Sequence, residues 1–95
     1  MNEILERAIY TFGPDCQTDK CIEEMSELTK ALLKLRYCEN RYERQIVQDA
    51  VDEEMADVEI MLAQLKLIFN NHYRVEMEKE KKLERLERRI NGTTG

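Results

Sequence analysis

The sequence predicts an all-α protein, and three observations carry that expectation. Charged residues make up 37% of the chain, whereas Gly and Pro together contribute four of its 95 residues, a balance that favours helix over sheet. Apolar residues recur at spacings of three and four through most of the length, as one face of a helix requires. The few breaks, Gly13-Pro14, Cys38-Glu39-Asn40 and Asn70-Asn71, divide the chain into segments of helical length. A single helical domain over residues 1–91 with a short tail, 92–95, is the expected organisation. A single core in so short a chain leaves much of the surface uncovered, so association with further copies is expected.

The first segment, residues 2–12, places Ile4, Leu5, Ala8, Ile9 and Phe12 on one face and stops at Gly13-Pro14. Asp15 or Thr18 is the expected cap of the second helix, which should run to about Tyr37. Its main apolar stripe is Ile22, Met25, Leu28, Leu32 and Leu35. An alternative row, Glu24, Glu27, Leu28, Ala31 and Leu35, puts two carboxylates at the border of the packed face. A third helix over roughly 41–69 carries Val47, Val51, Val58, Met61, Leu65 and Ile68, with Glu54 standing where the period calls for an apolar residue. The fourth, about 74–90, has Val75, Leu83, Leu86 and Ile90 on one side and Lys82, Arg85 and Arg89 beside them. Tyr10, Phe12, Tyr37, Tyr42, Phe69 and Tyr73 read as core or interface residues.

The net charge of −5 is unevenly spread: residues 1–71 hold 8 basic and 15 acidic side chains, and residues 72–95 hold 7 and 5. Such a balance argues against binding a nucleic-acid polymer or an anionic membrane, which need a dominant basic surface. No segment has the apolar length of a membrane span, and Met1-Asn2-Glu3 opens no secretory signal, so a cytoplasmic protein is the expectation. Three cysteines without Cys-x-x-Cys spacing and one histidine, His72, support neither a disulfide framework nor a zinc site.

The chemistry-bearing pattern is two carboxylate pairs, Glu24 with Glu27 and Glu54 with Asp57, each three residues apart and so on one face of its helix. If the two helices face each other, four like charges converge, and a close pair repels by about 4 kcal/mol at an effective dielectric of 20. A cation between them relieves that repulsion. Mg²⁺, with Mn²⁺ as substitute, suits an all-oxygen donor set and usually shares it with substrate phosphates. No Ser/His/Asp or Cys/His set and no Gly-rich phosphate loop is present, which leaves metal-assisted hydrolysis as the reaction class.

Glu23-Glu24-Met25-Ser26-Glu27 followed by Glu54-Met55-Ala56-Asp57 resembles the Glu-Glu-x-x-Glu and Glu-x-x-Asp signature of the MazG-like, all-α nucleoside triphosphate pyrophosphohydrolases. The likeness spans about residues 12–90, with Gln17, Leu28 and Val58 as supporting context. It implies a four-helix bundle completed by dimerisation, as a homodimer or homotetramer. It also implies Mg²⁺ held by Glu24, Glu27, Glu54 and Asp57, and cleavage of a nucleoside triphosphate between its α and β phosphates to monophosphate and pyrophosphate. Glu23 matches the first signature Glu, a position tied to water activation, metal support or packing. Gln17 is the expected contact to a nucleobase, and Lys82, Arg85 and Arg89 are the expected phosphate-facing residues. Two alternatives stand beside this reading: a non-catalytic helical interaction protein, and a related hydrolase of dUTP or another phosphorylated metabolite.

Overall fold

In the computed structural model, described for residues 2–92, four helices follow one another: α1 (Asn2–Phe12), α2 (Pro14–Arg36), α3 (Arg41–Phe69) and α4 (His72–Asn91). No strand occurs among the described residues. Of the expected tail, 92–95, all but Gly92 lies outside them. α2 and α3 form the main interface, an antiparallel hairpin, and α1 packs across both. Three contacts fix the hairpin's register: Arg44 reaches the carbonyl of Leu35 at 3.5 Å, Glu24 lies beside Glu54 and Asp57, and Gln17 bonds Gln64 at 2.6 Å.

Local chemistry sets the boundaries. Gly13 takes φ 92°, a backbone conformation that side-chain-bearing residues rarely adopt, and Pro14 then opens α2 with its ring already at the helical φ. The expected caps Asp15 and Thr18 are therefore inside α2: Asp15 sits in its first turn, and the Thr18 hydroxyl donates back to the carbonyl of Pro14. Asn40, expected only as a helix breaker, caps α3, its side chain accepting from the amides of Tyr42 at 2.8 Å and Glu43 at 3.4 Å. Asn70 ends α3 in the left-handed region, φ 50° and ψ 50°, which Asn tolerates better than most residues.

The core consists of Leu5, Cys21, Ala31, Val51, Val58 and Met61, with Gln17 and Gln64 buried among the helices. On α3 the expected stripe holds, Val47, Leu65 and Ile68 being half-buried at its ends. On α2 the packed face is Gln17, Cys21, Glu24, Leu28, Ala31 and Leu35, the alternative row; Ile22, Met25 and Leu32 of the expected main stripe are exposed. None of the six aromatic residues enters the core, since all are exposed within the chain.

α4 forms no packed interface with α1–α3 and has no buried residue. One chain therefore builds a three-helix unit with a projecting fourth helix, not a closed four-helix bundle. Its radius of gyration, 17.1 Å, exceeds the roughly 12 Å of a compact chain of this length.

Candidate metal centre

The hairpin register brings one member of the first carboxylate pair, Glu24, to both members of the second. Glu24 on α2 and Glu54 and Asp57 on α3 each offer a carboxylate oxygen to a group whose members all lie within 4.8 Å of one another. The Glu24 side chain is 12% exposed, Glu54 is half-buried and Asp57 is exposed, so the cluster runs from the helix interface out to solvent. Glu54 lies on the packed stripe between Val51 and Val58, and that position explains its state. Its Oε2 is buried without a hydrogen-bond partner. Desolvation, then the charges of Glu24, Asp57 and Glu27, and last a side-chain hydrogen bond with Glu24, raise its pKa above the ordinary 4.5.

Among the described residues, a cation stands beside the cluster. Lys20, one turn before Glu24, pairs with it at 3.3 Å and reaches Glu23 at 4.0 Å. The hydrogen bond to Glu24 and the charges of Glu23 and Glu24 raise the Lys20 pKa above its usual 10.5. Lys20 offsets one negative charge and leaves the buried Glu54 oxygen unpaired. Orphaned buried polar atoms are rare because each carries the cost of its lost hydration.

The donor set fits a small hard divalent cation. All three groups are carboxylates with oxygens within 4.8 Å of one another, and a modest closure would bring them to the roughly 3 to 4 Å that separates oxygens bound at about 2.0–2.1 Å to one ion. Three carboxylates supply half of an octahedron, leaving positions for water and substrate oxygens. Sulfur does not compete: Cys21 is fully buried with its thiol pKa raised by that burial, and neither Cys16 nor Cys38 is among the clustered donors.

The other expected site residues separate into two groups. Glu27 is near enough for its charge to act on Glu54 but stands outside the tight cluster, its side chain 46% exposed and paired with Lys30 at 3.6 Å. Glu23 points to solvent at the edge of the Lys20 pair. Gln17 is buried, donating from Nε2 to Oε1 of Gln64, so its amide braces α2 against α3 instead of lining an open surface. Lys82, Arg85 and Arg89 ride on the projecting α4, and within one chain they are not brought to the carboxylates.

The cations that line the hairpin near the cluster are on α2. A cavity of about 530 Å³ is bordered by Glu27, Lys30, Lys34, Ala50 and Glu54, among others. A smaller one, about 210 Å³, is bordered by Lys20, Glu24, Asp57, Ile60 and Met61. None of these lysines figured among the expected site residues. Lys20 and Lys34 share a row with Glu24, Glu27 and Ala31 at spacings of three and four, a pattern too common on solvated helices to single them out, and Lys30 lies off that row.

Comparison of the chain with protein-family models, with curated proteins and with solved structures finds no match.

Proposed function

We propose that the protein is a Mg²⁺-dependent hydrolase of nucleoside triphosphates, releasing pyrophosphate. The carrying observation is the unpartnered, buried Oε2 of Glu54 inside a cluster of three carboxylates, an arrangement that a divalent cation neutralises. Glu24, Glu54 and Asp57 would hold the ion, and Glu27 lies close enough to join them through a water or a second ion. When bound, the ion supplies Lewis-acid stabilisation of phosphate charge and lowers the pKa of its water. In the hydrolysis, the oxygen of water bonds to one phosphorus of the α–β anhydride. The bond from that phosphorus to the bridging oxygen breaks, pyrophosphate or the monophosphate departs with that oxygen, and the water's proton passes to a carboxylate or to solvent. The signature resemblance to the MazG-like enzymes supports the substrate class, and the preorganised carboxylates support the reaction class.

The active form in this reading is a dimer or a dimer of dimers. The chain exposes 8013 Å², whereas a compact monomer of 11.3 kDa exposes about 5,700 Å². The excess, roughly 2,300 Å², is of the size that an obligate homodimer removes per chain. Exposed apolar rows supply the surface. On α2 they are Ile22, Met25 and Leu32, and on α3 Met55, Leu62 and Phe69, seven residues apart. At 100° per residue both rows turn away from the open side of the carboxylates, so a second copy can cover them and leave the site accessible.

A second reading, a non-catalytic helical interaction protein, is favoured by the projecting α4 with its exposed Leu83 and Leu86. The two separate on one experiment: pyrophosphate release from a panel of ribo- and deoxyribonucleoside triphosphates with and without millimolar Mg²⁺. The hydrolase reading expects release that EDTA abolishes, and the interaction protein expects none.

A further inference from the structure

The carboxylates stand between two unequal cavities on one side of the hairpin. The row Lys20, Glu24, Glu27, Ala31 and Lys34 on α2 runs antiparallel to the row Ile46, Ala50, Glu54, Asp57 and Ile60 on α3, both at helical spacing, so the cavities share one face. Glu24 and Asp57 border the smaller space; Glu27 and Glu54 border the larger. The two differ in chemistry as well as size. The smaller, at about 210 Å³, has a single cation, Lys20, already paired with Glu23 and Glu24. The larger, at about 530 Å³, has an apolar lining that includes Ala31, Ile46, Val47 and Ala50, with Lys30 and Lys34 among its bordering residues. Beyond it a further cavity of about 470 Å³, bordered by Lys34, Tyr37, Cys38, Glu43, Ile46 and Val47, continues toward the turn between α2 and α3.

A groove with apolar walls, two cations and carboxylates at one end matches a ligand that is apolar at one end and anionic at the other. Its volume lies in the usual range of small-molecule sites, whereas 210 Å³ falls short of it. Resting on the proposed hydrolase reading, we infer that the larger groove seats the nucleoside part of the substrate, with Lys30 and Lys34 against the phosphate next to it. The leaving pyrophosphate then exits on the Lys20 side. Lys34 is the stronger of the two candidates, because Lys30 is tied to Glu27 and Lys34 has no carboxylate partner among the described residues. Seven residues separate Glu27 from Lys34, about 10 Å along the helix, which lets one ligand touch both the cluster and Lys34. Substrate-binding cations thus belong to α2, and the basic face of α4 is not required to complete the site.

Steady-state kinetics with Mg²⁺ on the best nucleoside triphosphate of the panel tests this. The variants are Lys34→Ala and Ile46→Asn, both at exposed positions where the fold tolerates change. Each should raise KM, tenfold or more for Lys34→Ala and about fivefold for Ile46→Asn, while kcat stays within twofold. Inorganic triphosphate, added as a competitive inhibitor, separates the two contacts: its Ki should rise with Lys34→Ala and hold with Ile46→Asn, because it has no organic part. Unchanged KM in both variants of an enzyme that turns over with Mg²⁺ would overturn the groove assignment and leave the hydrolase reading standing. Wild-type protein with no Mg²⁺-dependent release would overturn both.

Discussion

Glu54 concentrates the conflict between folding and function in one side chain. Its position on the α3 stripe calls for an apolar residue, and the structure leaves its Oε2 buried and unpartnered near three other carboxylates. Replacing it by Gln keeps the shape and removes a charge from that crowd, so the metal-free Glu54→Gln protein should melt at or above the wild-type temperature while losing pyrophosphate release. A clear drop in melting temperature with turnover retained would contradict this role. The raised pKa of Glu54 adds a signature with a definite sign. The folded state holds this proton more tightly than the unfolded state, so metal-free stability rises as pH falls from neutral toward 4.5 and is lost again as pH rises through the raised value. Melting temperatures of wild type and Glu54→Gln should therefore converge as pH falls toward 4.5 and separate as it rises toward neutral. A gap that does not change with pH would show that Glu54 titrates ordinarily. The Gln17–Gln64 bond is a structural counterpart. Gln17→Ala leaves a buried amide without its partner and should cost about 1–3 kcal/mol in denaturant unfolding, a loss that metal does not restore.

At the scale of the helices, breaks and periods were legible in the sequence where the residue chemistry admits one answer. Gly13-Pro14, the 37–40 turn and Asn70-Asn71 interrupt helical spacing, and the structure breaks there. The α3 stripe was legible too, Glu54 included. The packed face of α2 was not, because its apolar arc is wide enough to offer two stripes, and sequence period alone favours the more apolar one, Ile22, Met25 and Leu32. Register decides instead. With Gln17 bonded to Gln64 and Ala31 against the α3 face, the small and polar row turns inward and the large residues turn out. Among the candidate site residues, Glu24, Glu54 and Asp57 could be found from paired spacing. Lys30 and Lys34 could not, since lysines three or seven residues from a Glu are common on any solvated helix and only the cavity beside α3 singles them out. Capping gives a prediction that belongs to this scale. Asn40 holds two otherwise unpaired amides at the start of α3, so Asn40→Ala should lower stability by about 1 kcal/mol, read from the denaturation midpoint.

The whole molecule is defined by what one chain leaves uncovered. Its surface exceeds that of a compact monomer by roughly 2,300 Å², and six of its exposed large apolar residues form two rows, Ile22, Met25 and Leu32 on α2 and Met55, Leu62 and Phe69 on α3. Sedimentation at micromolar concentration should therefore show a dimer or tetramer, and Leu32→Glu combined with Met55→Glu should shift it toward the 11.3 kDa monomer without loss of helix. A wild-type chain that sediments only as monomer would contradict the assembly. Because a ligand that binds only the native state stabilises it by about 2.7 kcal/mol at a hundredfold excess over Kd, millimolar Mg²⁺ with a non-hydrolysable nucleotide should raise the melting temperature by several degrees. The central claim, that Glu24, Glu54 and Asp57 form a metal centre for nucleotide hydrolysis, is met most directly by pyrophosphate release. It should be measured across the nucleoside triphosphate panel with Mg²⁺, with EDTA, and with Glu54→Gln in place of wild type. Release with Mg²⁺ alone, abolished by EDTA and by the substitution, is the result predicted; no release above background from any triphosphate, or release that Glu54→Gln retains in full, would contradict it.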